Sequence, residues 1–307
     1  MAGMARVFVT RWLPGQALDR LAQAHDVDVW SEPGPPPRVE LLKRVHDAEG
    51  LLAMLTDRVD DELLDAAPRL KAIANYAVGV DNIDVEACTR RGIQVGNTPD
   101  VLTDATADLA FALILAAARR LPEGMAAVRN GEWTTWDPEW LLGLELSGAT
   151  LGIVGFGRIG RAVARRGEGF GMRVIHTKDQ PIPSVLEKAD VISLHVPLTP
   201  EMHHLIDADA LARMKPTAIL VNTARGAIID QRALAAALHA GTIAAAALDV
   251  TDPEPLPPDD PLLQAPNLIV LPHLGSATHK TRARMADLAV DNLLAALDGQ
   301  PMPHAVA

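Results

Sequence analysis

Cysteine and aromatic residues are scarce in this chain of 307 residues, which contains one cysteine, one tyrosine and four phenylalanines. A single cysteine, Cys88, cannot form an internal disulfide, so we expect a reducing, cytoplasmic location. Cys88 lies in a helical pattern without catalytic neighbours and is predicted to be a small buried residue. The tryptophans stand out against this scarcity, because Trp133, Trp136 and Trp140 fall in one short segment.

Positive charge, long apolar runs and metal-ligand clusters are lacking as well. The chain has 28 lysines and arginines against 39 aspartates and glutamates, a formal net charge of −11, and no basic run. Nucleic acids and anionic membranes are bound by clustered lysine and arginine, so neither is an expected partner. The longest purely apolar run, residues 109–118, is shorter than the roughly 18 residues of a membrane span. Adjacent His203 and His204 have poor geometry for one metal ion, so no metal is expected.

Hydrophobic residues are plentiful, and they form short runs that alternate with helical patterns. Hydrophobic residues make up 49% of the chain, and its length suggests two domains at about 100 to 200 residues each. Short aliphatic runs alternate with helical patterns, which is typical of a parallel α/β sheet. After a long helix that ends near residue 120, six further strand-like runs begin near residue 150, and the last helix, residues 280–298, could return to the first domain. The first predicted strands are residues 6–10, 26–30, 50–55, 71–76 and 92–95.

The sequence GFGRIG predicts a dinucleotide site. Gly155, Gly157 and Gly160 follow the predicted strand LGIV and open a helix, which is the context that makes this motif a phosphate site. Gly155 would allow the tight turn, Gly157 the close approach of the backbone to phosphate, and Gly160 the packing of the helix on the strand. The N–H groups and the positive dipole end of the helix N-terminus would bind the pyrophosphate.

The residues after the next strand leave the choice between NAD and NADP open. That strand ends at His176 and is followed by Lys178 and Asp179. An aspartate would accept a hydrogen bond from the ribose 2′-OH of NAD, whereas a cation would pair with the 2′-phosphate of NADP. Only 14 residues, 177–190, precede the following strand. Two helical crossovers would need about a dozen residues each, so we predict that the usual outer third strand is missing and that the adenosine edge is open.

Three side chains that suit the reduction of a 2-keto acid follow predicted strands of the second series. They are Arg225 in NTARG, Glu254 in DPEP and His273 in PHLGSAT. Ligands of open α/β sheets bind outside the carboxyl ends of the strands, where these side chains would meet. The reaction needs a cation for the carboxylate, a hydride donor and a proton donor for the carbonyl oxygen. Arginine binds a carboxylate with two hydrogen bonds, and histidine, oriented by a carboxylate, is the usual proton donor near neutral pH.

The chain resembles the D-2-hydroxyacid dehydrogenase family over nearly its whole length, and within that family the glyoxylate and hydroxypyruvate reductases. The matching stretches are YAVGVDNID, NTPDVLTDATAD, TTWDPEWLLG, GIVGFGRIG, VNTARG, ALDVTDPEPLP and LPHLGSATHKTR. The resemblance implies two α/β domains. A Rossmann-type doubly wound parallel sheet, residues 100–279, would be inserted in a flavodoxin-like substrate-binding domain made of residues 1–99 and 280–307.

The resemblance also implies roles for single residues. His273 would be the proton donor, Glu254 its partner and Arg225 the anchor of the substrate. NADP-preferring members carry an arginine shortly after the second strand, but none follows His176, so NADP preference does not carry over. The implied nucleotide contacts, in chain order, are Thr106, Gly157, Arg158, Ile159, Pro197, Thr223, Asp249 and Gly275.

Substrate contacts are implied in both predicted domains. The backbone of Val78 and Gly79 would contact the substrate, the glycine permitting close approach, and Ser276 would lie beside it. Leu55 matches a position that limits substrate size, although an ordinary core residue at a strand end is an equal interpretation. Trp136 would reach into the site of the partner subunit, or the tryptophan cluster would anchor a linker or pack a dimer interface.

The resulting hypothesis is a homodimeric reductase that uses NADH or NADPH to convert glyoxylate to glycolate or hydroxypyruvate to D-glycerate. One alternative is a dehydrogenase of another D-2-hydroxyacid such as 3-phosphoglycerate, whose phosphate would need a basic cluster that the predicted turns lack. Another is a dinucleotide-sensing protein like the corepressors that share the fold, which tend to carry extended tails. Turnover separates the enzymes from the sensor, whereas dinucleotide binding does not.

Overall fold

A computed structural model describes residues 4–306 as two compact units. The first unit takes the chain up to Leu102 and again from Ala277 onwards, and the second is Thr103–Ser276. None of the helices within residues 4–306 is both long enough and apolar enough to cross a membrane.

The elements up to residue 102 are β1 (Arg6–Val9), α1 (Ala17–Ala24), β2 (Asp26–Val29), α2 (Arg38–Val45), β3 (Gly50–Ala53), α3 (Asp61–Ala66), β4 (Ala72–Asn75), α4 (Val85–Arg90) and β5 (Gln94–Gly96). They are followed by α5 (Thr103–Ala118), α6 (Leu121–Arg129), β6 (Thr150–Val154), α7 (Arg158–Gly169), β7 (Arg173–His176), α8 (Ile182–Lys188), β8 (Val191–Leu194), α9 (Ala208–Arg213), β9 (Ile219–Asn222), α10 (Gln231–Ala240), β10 (Ala245–Leu248), β11 (Leu268–Val270) and α11 (His279–Leu297).

The sheet of the first unit has five parallel strands in the order β2-β1-β3-β4-β5, which is the flavodoxin-like order. All five strands lie where the alternating runs predicted them. The central strands β3 and β4 are buried along their whole length, as expected where helices cover both faces of a sheet. Asp60 and Asp84 start α3 and α4, because their carboxylates accept hydrogen bonds from N–H groups of the first helical turn.

The last helix, α11, completes the core of the first unit, as the sequence predicted. Ala286, Ala289 and Leu293 of α11 are buried in one cluster with strand residues such as Val7. The opposite face of the sheet packs against α2, α3 and α4, and Cys88 of α4 is fully buried there, which confirms the prediction for this residue. Burial raises the pKa of the Cys88 thiol to about 11.

The sheet of the second unit has six parallel strands in the order β11-β10-β9-β8-β6-β7. This is the Rossmann order without its outer third strand, so β7 is an edge strand. Residues 177–190 contain α8 and no strand, which confirms the predicted loss. One short helix suffices here because β8 pairs with β6, so a single crossover from β7 completes the connection. Val185 and Leu186 bury α8 against the sheet.

Candidate active site

A hydrogen bond joins the two predicted acid–base residues. His273 Nδ1 lies 2.9 Å from Glu254 Oε2, and both side chains are about one quarter exposed, at 26% and 27%. Glu254 follows β10 and His273 follows β11, so the pairing of these parallel strands brings the two turns together. With Nδ1 bound to a carboxylate, Nε2 is the ring nitrogen that is left to bond a further group.

The surroundings of Glu254 keep its carboxylate ionised. Burial acts to raise the pKa of Glu254, but the hydrogen bond and charge of His273, the N–H of Thr251 and the positive charge of Arg225 outweigh it. The net effect is a pKa below the ordinary value of 4.5. Glu254 Oε1 accepts the hydrogen bond from Thr251 N at 3.0 Å, so each carboxylate oxygen has a defined partner. Glu254 therefore presents a fixed negative charge to the histidine at neutral pH.

A buried aspartate sets the conformation of the loop that carries His273. The His273 N–H donates to the main-chain oxygen of Asp249 at 2.9 Å. The Asp249 carboxylate accepts from Leu274 N at 2.6 Å and from Gly275 N at 2.8 Å. These bonds hold His273 in the left-handed region, at φ 55°, which is a costly conformation for a residue with a Cβ. Burial raises the pKa of Asp249, which is 1% exposed. The sequence predicted a nucleotide contact for this residue and missed its contact with the histidine loop.

Arg225 lies in a turn whose backbone is hydrogen-bonded by the side chain of Asn222. The buried side chain of Asn222, the last residue of β9, donates to Arg225 O at 2.8 Å and accepts from Ala224 N at 2.9 Å. The next residue, Gly226, lies against the turn that carries Glu254. A Cβ added at Gly226 would be 2.0 Å from the carbonyl carbon of Thr251, so only glycine lets the two turns approach this closely. Neither Asn222 nor Gly226 was predicted from the sequence, although an asparagine at the end of an apolar run is a recognisable signal.

The glycine loop between β6 and α7 has the geometry of a dinucleotide site. Gly155 has φ 94°, and a Cβ there would be 2.5 Å from the carbonyl of His195. A Cβ at Gly160 would be 2.1 Å from Gly155 O, which is the close packing of helix on turn that the motif predicts. A Cβ at Gly157 would meet nothing within 4 Å, and Gly157, as the N-cap residue of α7, makes no side-chain hydrogen bond to the first turn. The residues present therefore fit a pyrophosphate bound by the N–H groups of this helix.

Several predicted nucleotide contacts lie beside the turns that carry Arg225, Glu254 and His273. Thr106 Oγ1 donates to Gly275 O at 3.2 Å, and a Cβ at Gly275 would be 3.2 Å from an oxygen of Asp249. The hydroxyl oxygen of Thr223 is buried and has no hydrogen-bond partner within residues 4–306, so it is available to a ligand group. Of the remaining predicted contacts, Arg158 and Ile159 open α7, and Pro197 is exposed after β8.

The residues that follow β7 adjoin the glycine loop. Thr177 Oγ1 accepts a hydrogen bond from Gly155 N at 3.0 Å. Lys178 and Asp179 come next and are both exposed. Asp179 Oδ2 lies 3.4 Å from His176 Nε2 and the side chain is 70% exposed. The two opposite charges therefore share one turn, and neither NAD nor NADP is favoured by geometry alone.

The substrate contacts predicted in the first unit lie in neighbouring loops. Leu55 follows β3, and Val78 and Gly79 follow β4. The Asn82 side chain connects the loops, because its Nδ2 donates to Met54 O at 3.0 Å. In the second unit, Ser276 comes three residues after His273 and is half-buried. Trp136, by contrast, is 80% exposed, in a segment whose other tryptophans, Trp133 and Trp140, are 62% and 38% exposed.

A family model described as the NAD-binding domain of D-isomer specific 2-hydroxyacid dehydrogenases matches residues 111–275. The glyoxylate reductase of Korarchaeum cryptofilum is 49% identical over 316 aligned positions, which cover 98% of this chain and 95% of that protein. The chain belongs to the D-isomer specific 2-hydroxyacid dehydrogenase family. It is therefore an oxidoreductase, and NAD or NADP is its cofactor.

Solved structures of similar proteins agree with this membership. The TT0316 protein from Thermus thermophilus is 54% identical, with a TM-score of 0.93 over 98% of this chain and 100% of that one. The NADPH-dependent glyoxylate/hydroxypyruvate reductase of Sinorhizobium meliloti, solved with NADP and malonate, is 34% identical, with a TM-score of 0.86 over 99% of this chain and 97% of that one. The predicted family and the predicted fold, a Rossmann-type domain together with a flavodoxin-like sheet, are confirmed.

Proposed function

We propose that this dehydrogenase reduces a small 2-keto acid, glyoxylate or hydroxypyruvate, with NADH or NADPH. The observation that carries the proposal is the His273–Glu254 hydrogen bond of 2.9 Å next to the charge of Arg225. The 49% identity with a glyoxylate reductase supports the choice of substrate. We assign nucleotide binding to the second unit, which also carries Arg225, Glu254 and His273, and we assign the substrate contacts of Leu55, Val78 and Gly79 to the first.

The proposed mechanism uses each of the three side chains once. Arg225 binds the substrate carboxylate with two hydrogen bonds. Reduced nicotinamide, when bound, supplies the hydride that C2 accepts. Protonated His273 donates from Nε2 to the carbonyl oxygen as the C2–H bond forms, so the keto acid gains one hydride and one proton and becomes the 2-hydroxyacid. Glu254 stabilises the imidazolium and holds the ring in this orientation, and neutral His273 then takes a proton from water.

The remaining predicted residues have roles in this proposal as well. In the first unit, the N–H groups of Val78 and Gly79 are assigned to substrate contact and Leu55 to limiting the size of the substrate. In the second unit, Ser276 is assigned to substrate contact. Glyoxylate and hydroxypyruvate are small enough to fit beside Leu55, whereas longer keto acids would clash with its side chain. The cytoplasmic location expected from the single cysteine stays a prediction.

We also propose a homodimer. Helix α6 and the segment after it carry large exposed apolar side chains, among them Met125 at 56%, Val128 at 58% and Trp133 at 62% exposure. Several large exposed apolar side chains in one stretch of chain favour an interaction surface. A second copy of the chain would bury them, and Trp136 of the partner subunit would then complete the substrate pocket.

The test is an assay of reduced-nicotinamide absorbance with glyoxylate and hydroxypyruvate, each with NADH and NADPH. We expect turnover by the wild type and a loss of about 10²- to 10⁴-fold in kcat for His273→Ala, because general acid catalysis contributes that much. His239→Ala, an exposed histidine in the last turn of α10, is the matched control and should keep the wild-type rate. Full activity of His273→Ala, or no turnover of either keto acid by the wild type, would refute the proposal.

A further inference from the structure

Two asparagine side chains hold consecutive carbonyl groups of the loop that follows β4. Asn97 Nδ2 donates to Val78 O at 2.7 Å, and Asn75 Nδ2 donates to Gly79 O at 2.8 Å. Asn75 is the last residue of β4 and is fully buried, and Asn97 follows β5, the neighbouring strand. The two carboxamides therefore approach the loop from two adjacent strands of one sheet.

The carbonyl groups on either side of these two also accept hydrogen bonds within the first unit. The carbonyl oxygens of Ala77 and Val80 accept hydrogen bonds from Thr98 N and Ile83 N, both at 2.9 Å. Because the C=O and N–H of a trans peptide point in opposite directions, fixing these carbonyls turns the N–H groups of residues 78–80 to the other side of the loop. Within residues 4–306 these three N–H groups donate to no protein acceptor, and the residues are only half-buried.

The asparagine that reaches Gly79 is itself held in place. Asn75 and Asn82 form a reciprocal carboxamide pair, with Nδ2 to Oδ1 distances of 3.0 Å and 3.3 Å. The two hydrogens of Asn82 Nδ2 are shared between Asn75 Oδ1 and the carbonyl oxygens of Met54 and Asp57, both at 3.0 Å, so the loop after β3 is tied to the loop after β4. A buried polar network in which every group is satisfied is rigid, so little rearrangement is left for the moment of binding.

We infer that Asn75 and Asn97 are positioning residues that present the N–H groups of Val78, Gly79 and Val80 to the carboxylate of the 2-keto acid. This inference rests on the proposed function, since it assigns those N–H groups to its substrate. Successive N–H groups that face one side of a loop form a concavity that binds anions without any charged side chain. Because the donors are oriented before the substrate arrives, binding costs no reorganisation of the loop.

The test compares Asn97→Ala with the wild type in two measurements, both with nicotinamide nucleotide bound. One is the KM for glyoxylate, and the other is the Kd for oxalate, a two-carbon carboxylate without a reducible carbonyl, by calorimetry. We expect both constants to rise about tenfold while kcat and the KM of the reduced nucleotide change less than about twofold, because the lost orientation weakens substrate and transition state alike. Asn97→Ala should fold, because the backbone of Asn97 is held independently by His304 O and by the Asn292 side chain.

Asn267→Ala is the matched control. Its Nδ2 also donates to a carbonyl, Ala244 O at 3.0 Å, but Asn267 precedes β11 and so lies at the opposite end of the strands from the catalytic turns. An unchanged oxalate Kd in folded Asn97→Ala, or an equal rise in Asn267→Ala, would overturn the inference. Wild-type protein that binds oxalate but reduces no keto acid would contradict the proposed function alone. Wild-type protein that neither binds oxalate nor turns over would overturn both.

Discussion

The N–H of His273 is bound by the main-chain oxygen of Asp249 at 2.9 Å, and the carboxylate of the same aspartate binds the next two N–H groups of the loop. One residue at the end of β10 thus fixes the backbone on which the proposed proton donor stands. The side chain of His273 is fixed separately, by Glu254, in the loop that follows the same strand. The ring and the backbone of the histidine are therefore both positioned by residues that follow β10.

Replacing Asp249 by alanine should lower both the stability of the protein and its kcat. Asp249→Ala leaves the N–H groups of Leu274 and Gly275 without their acceptors, and we expect a loss of about 2 kcal/mol in the free energy of unfolding. We also expect kcat to fall at least about tenfold, because His273 can leave its left-handed conformation. Asp207→Ala, which removes the N-cap of α9, should lose about 1 kcal/mol without any change in kcat. A wild-type kcat in Asp249→Ala would show that the aspartate does not position the loop.

Glu254→Gln should make the stability of the protein less dependent on pH. The pKa of Glu254 is lowered from 4.5 in the folded protein, so its charge contributes stability that is fully present above pH 4.5 and is lost as the pH falls through the lower folded value. We expect Glu254→Gln to unfold more easily than the wild type at neutral pH, by about 1 to 2 kcal/mol, and the difference to shrink below pH 4.5. Urea titrations on both sides of that pH measure it, and a difference that does not depend on pH would contradict the assignment.

Lys178→Ala and Asp179→Ala should shift cofactor preference in opposite directions. Only NADP carries a 2′-phosphate for Lys178 to attract and for Asp179 to repel, whichever cofactor the wild type prefers. We expect Lys178→Ala to lower the ratio of kcat/KM for NADPH over NADH about fivefold, and Asp179→Ala to raise it about fivefold, which corresponds to about 1 kcal/mol for an exposed charge pair. Steady-state kinetics with both reduced cofactors give the ratio. If both variants move it in the same direction, this turn does not contact the 2′ position.

The segment of residues 133–140, which carries three tryptophans, should control formation of the proposed homodimer. Trp133 is 62% exposed, and a large aromatic side chain at the centre of an interface typically contributes about 2 kcal/mol or more. We expect Trp133→Ser to weaken the dimer about 30-fold or more in Kd, as measured by sedimentation velocity over a range of concentrations. Trp12→Ser is the control, because Trp12 is 67% exposed but lies far from this segment in the sequence, in the first unit. A wild type that sediments as a monomer would exclude the proposed dimer.

Much of the fold was predictable because central parallel strands are buried on both faces and are read as continuous apolar runs. The glycine loop was predictable from its context, since Gly155, Gly157 and Gly160 lie between a strand and a helix. The missing outer strand followed from chain length, because 14 residues cannot form two helical crossovers. Arg225, Glu254 and His273 each follow a strand, and strand ends of one parallel sheet meet at one edge.

The contacts that support the site were not predictable in the same way. That Gly226 has to be a glycine depends on the backbone of Thr251, which is 25 residues away in the chain and becomes a neighbour only because β9 and β10 pair. The carboxylate of Asp249 reaches Leu274 for the same reason, through the pairing of β10 and β11. Such contacts depend on which strands are neighbours and on their register, and neither is encoded in a local sequence pattern.

The return of α11 to the first unit has a consequence for biosynthesis. Strand β1 is synthesised well before α11, yet Val7 and Val9 pack against Ala286, Val290 and other residues of that helix. The first unit therefore cannot bury its core until α11 has been synthesised, whereas the second unit, Thr103–Ser276, is contiguous and can fold before that point. Of the two units, the one whose strands are synthesised first is the one that finishes folding last.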